Sequence, residues 1–188
     1  MIPTAIAFGV LVLIVLIFVI GTYNRMVNLR QLIENAWSNI DTELKRRHDL
    51  IPNLVATVKG YATHEKEVLE RVIHARNQAM KPHNDRLITA RDENELAKAL
   101  KTVFAVAEGY PDLKANQNFL KLQEELINTE NRIQAARRFY NGNVKDLNTL
   151  VGQFPSNMLA RQFGFEETAF FELDSALERA PVHVQWDR

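Results

Sequence analysis

From Ala5 to Gly21 the chain reads AIAFGVLVLIVLIFVIG, seventeen residues without one polar side chain. At about 1.5 Å of rise per helical residue this run covers roughly 25 Å, and Ile2–Thr4 with Thr22–Tyr23 extend it to a full bilayer span. After Tyr23 the pattern changes to apolar positions at helical steps of three and four, with hardly any alternation of the strand type. Ile33, Ala36, Trp37, Ile40 and Leu44 form one stripe, continued nearly in phase by Ile51, Leu54, Val55, Val58, Tyr61, Val68, Leu69, Val72 and Ile73. This predicts a long helix that leaves the membrane and bends at Pro52, whose ring crowds the carbonyl of His48 and which has no N–H to donate. The alternative is a new helix capped by Asp49 with Pro52 in its first turn, but in-phase residues on both sides favour the bend.

Pro82 closes this region, and the polar stretch PHNDRLITAR, residues 82–91, reads as a mobile connection. Asp92 with Glu95 forms a capping-box-like start for a short helix through Leu96, Leu100, Val103, Phe104 and Ala107, which Gly109-Tyr110-Pro111 stops. From Asp112 a second long stripe takes in Leu113, Phe119, Leu120, Leu126, Ile127, Ile133, Phe139, Tyr140, Val144, Leu147, Val151 and Phe154. Asn141-Gly142 is a turn signal within it, yet the stripe holds its phase across the glycine and predicts an unbroken helix. Short elements follow around Asn157–Gln162 and Glu166–Leu177, and Pro181–Val184 ends extended. Helices with one apolar stripe each must pack on one another. The expected fold is all-α: a transmembrane helix over residues 1–23, then an antiparallel four-helix-type bundle with coiled-coil-like packing and short C-terminal pieces over residues 24–188.

A signal peptide would need a positive n-region, a shorter apolar core and a small-residue cleavage site, so the run reads as an uncleaved anchor. No Lys or Arg precedes it, whereas Arg25 and Arg30 follow closely and Lys45, Arg46 and Arg47 come later. The positive-inside bias therefore predicts a cytoplasmic soluble part, with Tyr23, Arg25 and Arg30 as anchors at the membrane interface.

Charge narrows the function classes. Lys and Arg number 23 against 23 Asp and Glu, which lacks the basic footprint of a nucleic-acid-binding protein. The absence of cysteine removes disulfides, thiolate metal sites and a cysteine nucleophile. None of the five histidines has a Glu three residues before it, as a di-iron bundle would require. His64-Glu65 starts a zinc-protease motif that fails at Val68, where the second His should stand. The three serines lie in no glycine-flanked elbow, and the seven glycines form no phosphate-cradling loop. The chain is expected to be no enzyme and to need no cofactor or metal.

Arg46 lies 25 residues past Gly21, about 37 Å along a straight helix, and a surface potential decays over about 8 Å. Lys45-Arg46-Arg47 is therefore expected to be a solvated face or to pair within the helix with Glu43 and Asp49, rather than to hold lipid headgroups. Glu130 and Arg137 fall at steps where the last long stripe should be apolar, so each is expected to find an opposite partner across the bundle, with Arg46, Arg47 or His48 available to Glu130. The candidate network comprises Arg46, Arg47, His48, Asp49, Glu65, Glu130 and Arg137, with a structural salt bridge as its plainer role and partner docking or a pH response as the functional one.

Three blocks of this chain together resemble a known family. The span followed by Tyr23-Asn24, then AWSNIDTELKRRHDLIPNLVATVKGYATHEKEVLERVIHAR over residues 36–76, is similar to the signature of the bacterial LemA family. LINTENRIQAARRFYNGNV over 126–144 and FPSNMLARQFGF over 154–165 resemble its second and third blocks, with Trp37, Pro52, Asn53, Tyr140, Asn141, Phe154 and Pro155 at motif positions. The resemblance implies a single-pass protein of the bacterial inner membrane whose soluble domain is a four-helix antiparallel bundle, with no catalytic residue. Magnetosome-type proteins look like relatives, which implies that some members serve membrane organisation. The expected partners are lipid through the span, other membrane or membrane-proximal proteins, and further copies of the chain. A scaffold or adaptor is the first functional reading, and lateral assembly that organises the membrane is the second.

Overall fold

The computed structural model describes residues 2–83 and 85–172, the side chains of residues 2–5 excepted. Six helices carry the fold: α1 (Ile2–Lys59), α2 (Lys66–Ala79), α3 (Arg86–Ala107), α4 (Pro111–Lys114), α5 (Gln117–Gly152) and α6 (Ser156–Phe163). The described residues contain no strand, so the protein is all-α. Of these residues, those up to Ile40 with Ala135–Phe170 form one compact unit, and Asp41–Gln134 with Phe171 and Glu172 form a second.

In the first unit, α1 begins as a fully exposed apolar helix, with Ile6, Phe8 and most large residues through Ile20 open on all sides. Its next turns carry a one-sided stripe, Met26, Leu29, Ile33, Ala36 and Ile40, all buried. Tyr140, Val144 and Leu147 of α5 and Ala160 of α6 are buried in the same unit. Trp37 packs on Tyr140 with ring centroids 5.8 Å apart. Gly164, at φ 70°, adopts the left-handed conformation that ends α6, and the Phe165 N–H closes back on the Ala160 carbonyl at 2.9 Å. The chain then runs along α5 without regular secondary structure. Asn148 holds it by a reciprocal pair, accepting from the Thr168 N–H at 2.8 Å and donating to the Thr168 carbonyl at 2.9 Å, while the Tyr140 hydroxyl donates to the Ala169 carbonyl at 3.0 Å.

In the second unit, the end of α1 and α2, α3 and the start of α5 share one core, in which Ile51, Leu54, Val58, Val72, Leu96, Val103 and Phe119 are buried. Short connections make successive helices antiparallel neighbours. Helix α1 passes through Pro52 without interruption, so Asp49 caps nothing. It ends at Lys59, however, and the in-phase stripe through Ile73 belongs to two helices. Gly60, Tyr61 and Ala62 donate back to the carbonyls of Thr57 and Val58 in a turn that reverses the chain, leaving Tyr61 and Ile73 exposed. Periodicity cannot register such a reversal when the second helix restarts at a helical step.

Three further expectations are corrected. Residues 86–91 are helical, because Asp85 rather than Asp92 caps α3, accepting from the Leu87 N–H at 2.8 Å. Asp92 instead lies 3.1 Å from His83 Nε2 and 3.1 Å from Arg91 Nη2. The long stripe from Asp112 is split, since Leu113 sits on α4 and Asn116 starts α5 by accepting from the N–H groups of Asn118 and Phe119 at 2.9 and 3.1 Å. Residues 166–172 are not helical; the rest of the expected Glu166–Leu177 element and the extended Pro181–Val184 lie outside the described residues.

Candidate functional site

The polar groups most completely withdrawn from water lie in the second unit. Leu44, Ile51 and Leu54 occupy the inward line of α1 in this unit, and Arg47 falls on that line at 2% exposure. On α3 the inward line runs Ala90, Glu93, Leu96, Leu100 and Val103, and Glu93 is 1% exposed. On α5 Glu130 is likewise buried. Arg47 Nη1 donates to Glu130 Oε2 at 2.9 Å, Arg47 Nη2 pairs with Glu93 Oε2, and His48 Nε2 lies 2.8 Å from Glu93 Oε1. An ionised carboxylate only accepts, so the His48 Nε2–H is the donor there. One guanidinium thus bridges two carboxylates from different helices, and one carboxylate joins the two basic residues of α1.

Burial alone pushes the Glu93 carboxyl up; the His48 hydrogen bond and the neighbouring Arg47 charge outweigh it and hold the group below its ordinary value. The charges stay in the core only because they are paired.

A fourth helix joins through the backbone. Pro52 has no N–H, so the carbonyl of His48, four residues earlier, lacks its helical donor. Arg76 of α2 supplies one, its Nε–H donating to that oxygen at 2.7 Å. The proline that interrupts the α1 ladder therefore creates the acceptor on which α2 docks.

The remaining candidates are placed elsewhere. Arg46 is half-exposed and pairs with Glu43 at 3.7 Å, a residue that also lies 3.9 Å from Arg132. Arg47 departs from the solvated face expected of the Lys45-Arg46-Arg47 run, because the three successive residues point in different directions around the helix and only Arg47 meets the core line. Asp49 is exposed. Glu65 accepts from the Tyr110 hydroxyl at 3.2 Å, and desolvation together with that carboxylate raises the Tyr110 phenol above its ordinary value. Arg137 is half-buried in the first unit, where it makes interactions of its own. Exposed Asn53 accepts from the Thr57 hydroxyl through its carbonyl at 2.8 Å, and Asn141 is half-buried with its own partner. Tyr23 packs on Phe163 and Phe165 at centroid distances of 4.8 and 6.0 Å, Arg30 lies 5.2 Å over the Phe165 ring, and Arg25 is exposed. Phe154 and Pro155 are exposed at the joint between α5 and α6.

Glu93 is the member that sequence reasoning missed. It stands three and seven residues before Leu96 and Leu100, the same intrusion of charge on an apolar line that singled out Glu130. Assigning the cap to Asp92 hid it among first-turn acids. Among the described residues no three or more His, Asp or Glu side chains gather as a metal site would require, and the cluster's chemistry is charge pairing.

Protein LemA of Metamycoplasma hominis is 26% identical over 163 residues, covering 87% of this chain and 74% of that protein. Magnetosome protein MamQ 2 of Paramagnetospirillum magneticum is 22% identical over 175 residues, and magnetosome protein MamQ of Magnetospirillum gryphiswaldense 20% over 174. The chain spans 64% of the length of each of these two magnetosome proteins. The model of the LemA family matches residues 36–186, from the turn of α1 that carries Trp37 past the last described residue and across Arg47, Glu93 and Glu130, so this chain belongs to the LemA family.

Proposed function

We propose that this protein is a non-enzymatic, membrane-anchored helical scaffold or adaptor that presents its helices to other membrane or membrane-proximal proteins. The observation that carries the reading is the composition of α1, the one helix among the described residues long and apolar enough to cross a membrane. Its apolar run is exposed on every side, and the same helix continues into a one-sided stripe that is buried against other helices. A helix apolar all round needs lipid or a protein interior around it, whereas one with a stripe needs only packing partners. The buried charges of the second unit are engaged with one another, which supports a structural rather than a catalytic use of them. The first test is alkaline carbonate extraction of membranes from cells making the full chain. Retention in the membrane pellet is expected, and release into the supernatant would overturn the anchor. In-cell photo-crosslinking from exposed α3 positions is then expected to give saturable adducts with specific membrane proteins, and recovery of abundant bystanders alone would overturn the adaptor.

The similarity to magnetosome proteins favours a second reading, in which copies assemble laterally and organise the membrane. Purified protein that stays monomeric in lipid and leaves vesicle shape unchanged would count against it.

A further inference from the structure

Helix α6 is short and two-sided. Ser156 and Ala160 face inward, while Met158 is 64% exposed and Phe163 is also open. Phe154, just before the helix, is 74% exposed, and Arg161 adds a cation to the last turn. An element that turns large apolar side chains and a basic residue outward has the composition of a helix lying in a membrane interface. Its position in the first unit agrees. Ile17, Phe18 and Arg25 of α1 line one open cavity of about 440 Å³ with Gln153, Phe154 and Ser156. Ile17 and Phe18 belong to the end of the apolar run. Arg25 stands about 10 Å further along the helix, a distance that carries it out of the acyl region into the headgroup layer. Its side chain is exposed. Between them a Cβ on Gly21 would meet nothing within 4 Å, so the groove floor is open.

We propose that Phe154, Met158 and Phe163 enter the headgroup–acyl boundary of the bilayer that α1 crosses, and that this groove seats an anionic phospholipid. Acyl chains lie along Ile17, Phe18 and Phe154, and the phosphate meets Arg25. The occupant follows from continuity: the apolar wall of the groove is the same helix surface that faces lipid, and the cation is set where a phosphate layer begins. The inference rests on the anchored reading above.

The chain has no cysteine, so single labels are unambiguous. Full-length protein carrying a fluorophore at Ile14→Cys or at Met158→Cys is reconstituted into vesicles of phosphatidylcholine and phosphatidylglycerol and quenched with lipids spin-labelled at shallow or deep positions. The expected result is several-fold stronger quenching of the Met158 label by the shallow probe and of the Ile14 label by the deep one. A quenched Ile14 label with an unquenched Met158 label overturns the interfacial arm and leaves the anchor standing. If neither is quenched, the anchor and the inference fall together. Native mass spectrometry of the detergent-solubilised protein reads the groove: Arg25→Gln is expected to lower retained phosphatidylglycerol several-fold while helicity and thermal midpoint are kept, and equal retention overturns the phosphate site. Inorganic phosphate binding with no lipid retained would also overturn it.

Discussion

Without the Glu93 carboxylate, Arg47 would keep only Glu130, and its Nη2 and the His48 Nε2 would be left in the core with no acceptor. Breaking a buried pair from one side costs about 3–5 kcal/mol, so Glu93→Leu is expected to lower the urea midpoint severely, whereas replacing Arg47 and the two carboxylates together by apolar residues is expected to cost far less. The acid limb carries a sign of its own. The Glu93 carboxyl is held below its ordinary value of 4.5. Its contribution is therefore fully present above that value and is lost as pH falls through the folded one. Midpoints measured from about pH 7 downward are expected to fall more steeply in the native chain than in Glu93→Gln, and parallel curves would show that the carboxylate is not what acid attacks. Glu130 was read from charge on a line of apolar steps; the same criterion covers Arg47 and Glu93, but Arg47 was expected on a solvated face and Glu93 was hidden among first-turn acids. Which charge meets which was not legible, because a stripe gives a residue's direction on its own helix and nothing about the residue opposite.

Helix α1 shows how a sequence-level defect becomes a contact. Pro52 leaves the His48 carbonyl without its donor, and Arg76 fills the place. Arg76→Met is expected to cost about 1–3 kcal/mol by stranding that oxygen. In a Pro52→Ala chain the backbone N–H of residue 52 is free to take the carbonyl, so the same change at Arg76 is expected to cost much less. A double-mutant cycle by chemical denaturation checks this, and additive effects would refute it. The sequence supported continuity through Pro52 and through Asn141-Gly142 because apolar phase is kept across both, and both helices are continuous. It mistook the turn at Gly60 for helix for the same reason, since phase on either side of a reversal looks like phase within one helix. The start of α3 was misplaced because Asp92 was read as the cap, whereas Asp85, seven residues earlier, accepts from the Leu87 N–H and starts the helix there.

For the molecule as a whole, the side of the membrane is the property on which partner searches depend. The basic residues that follow the apolar run predict a cytoplasmic side for the helices by the positive-inside bias. A maleimide that cannot cross membranes is therefore expected to label Leu87→Cys, an exposed position on α3, only after cells are permeabilised. Labelling of intact cells would reverse the orientation and move the search to the envelope. By itself the sequence determined the helical class, the apolar run and the intrusion of Glu130 on a core line, since each follows from the spacing of residue types along one chain. Tertiary structure decided where helices reverse, that Arg47 bridges Glu93 and Glu130, and that Arg76 completes the ladder at Pro52. Those outcomes depend on groups distant in sequence meeting in a space from which water is excluded, where an unpaired charge or carbonyl is too costly to leave.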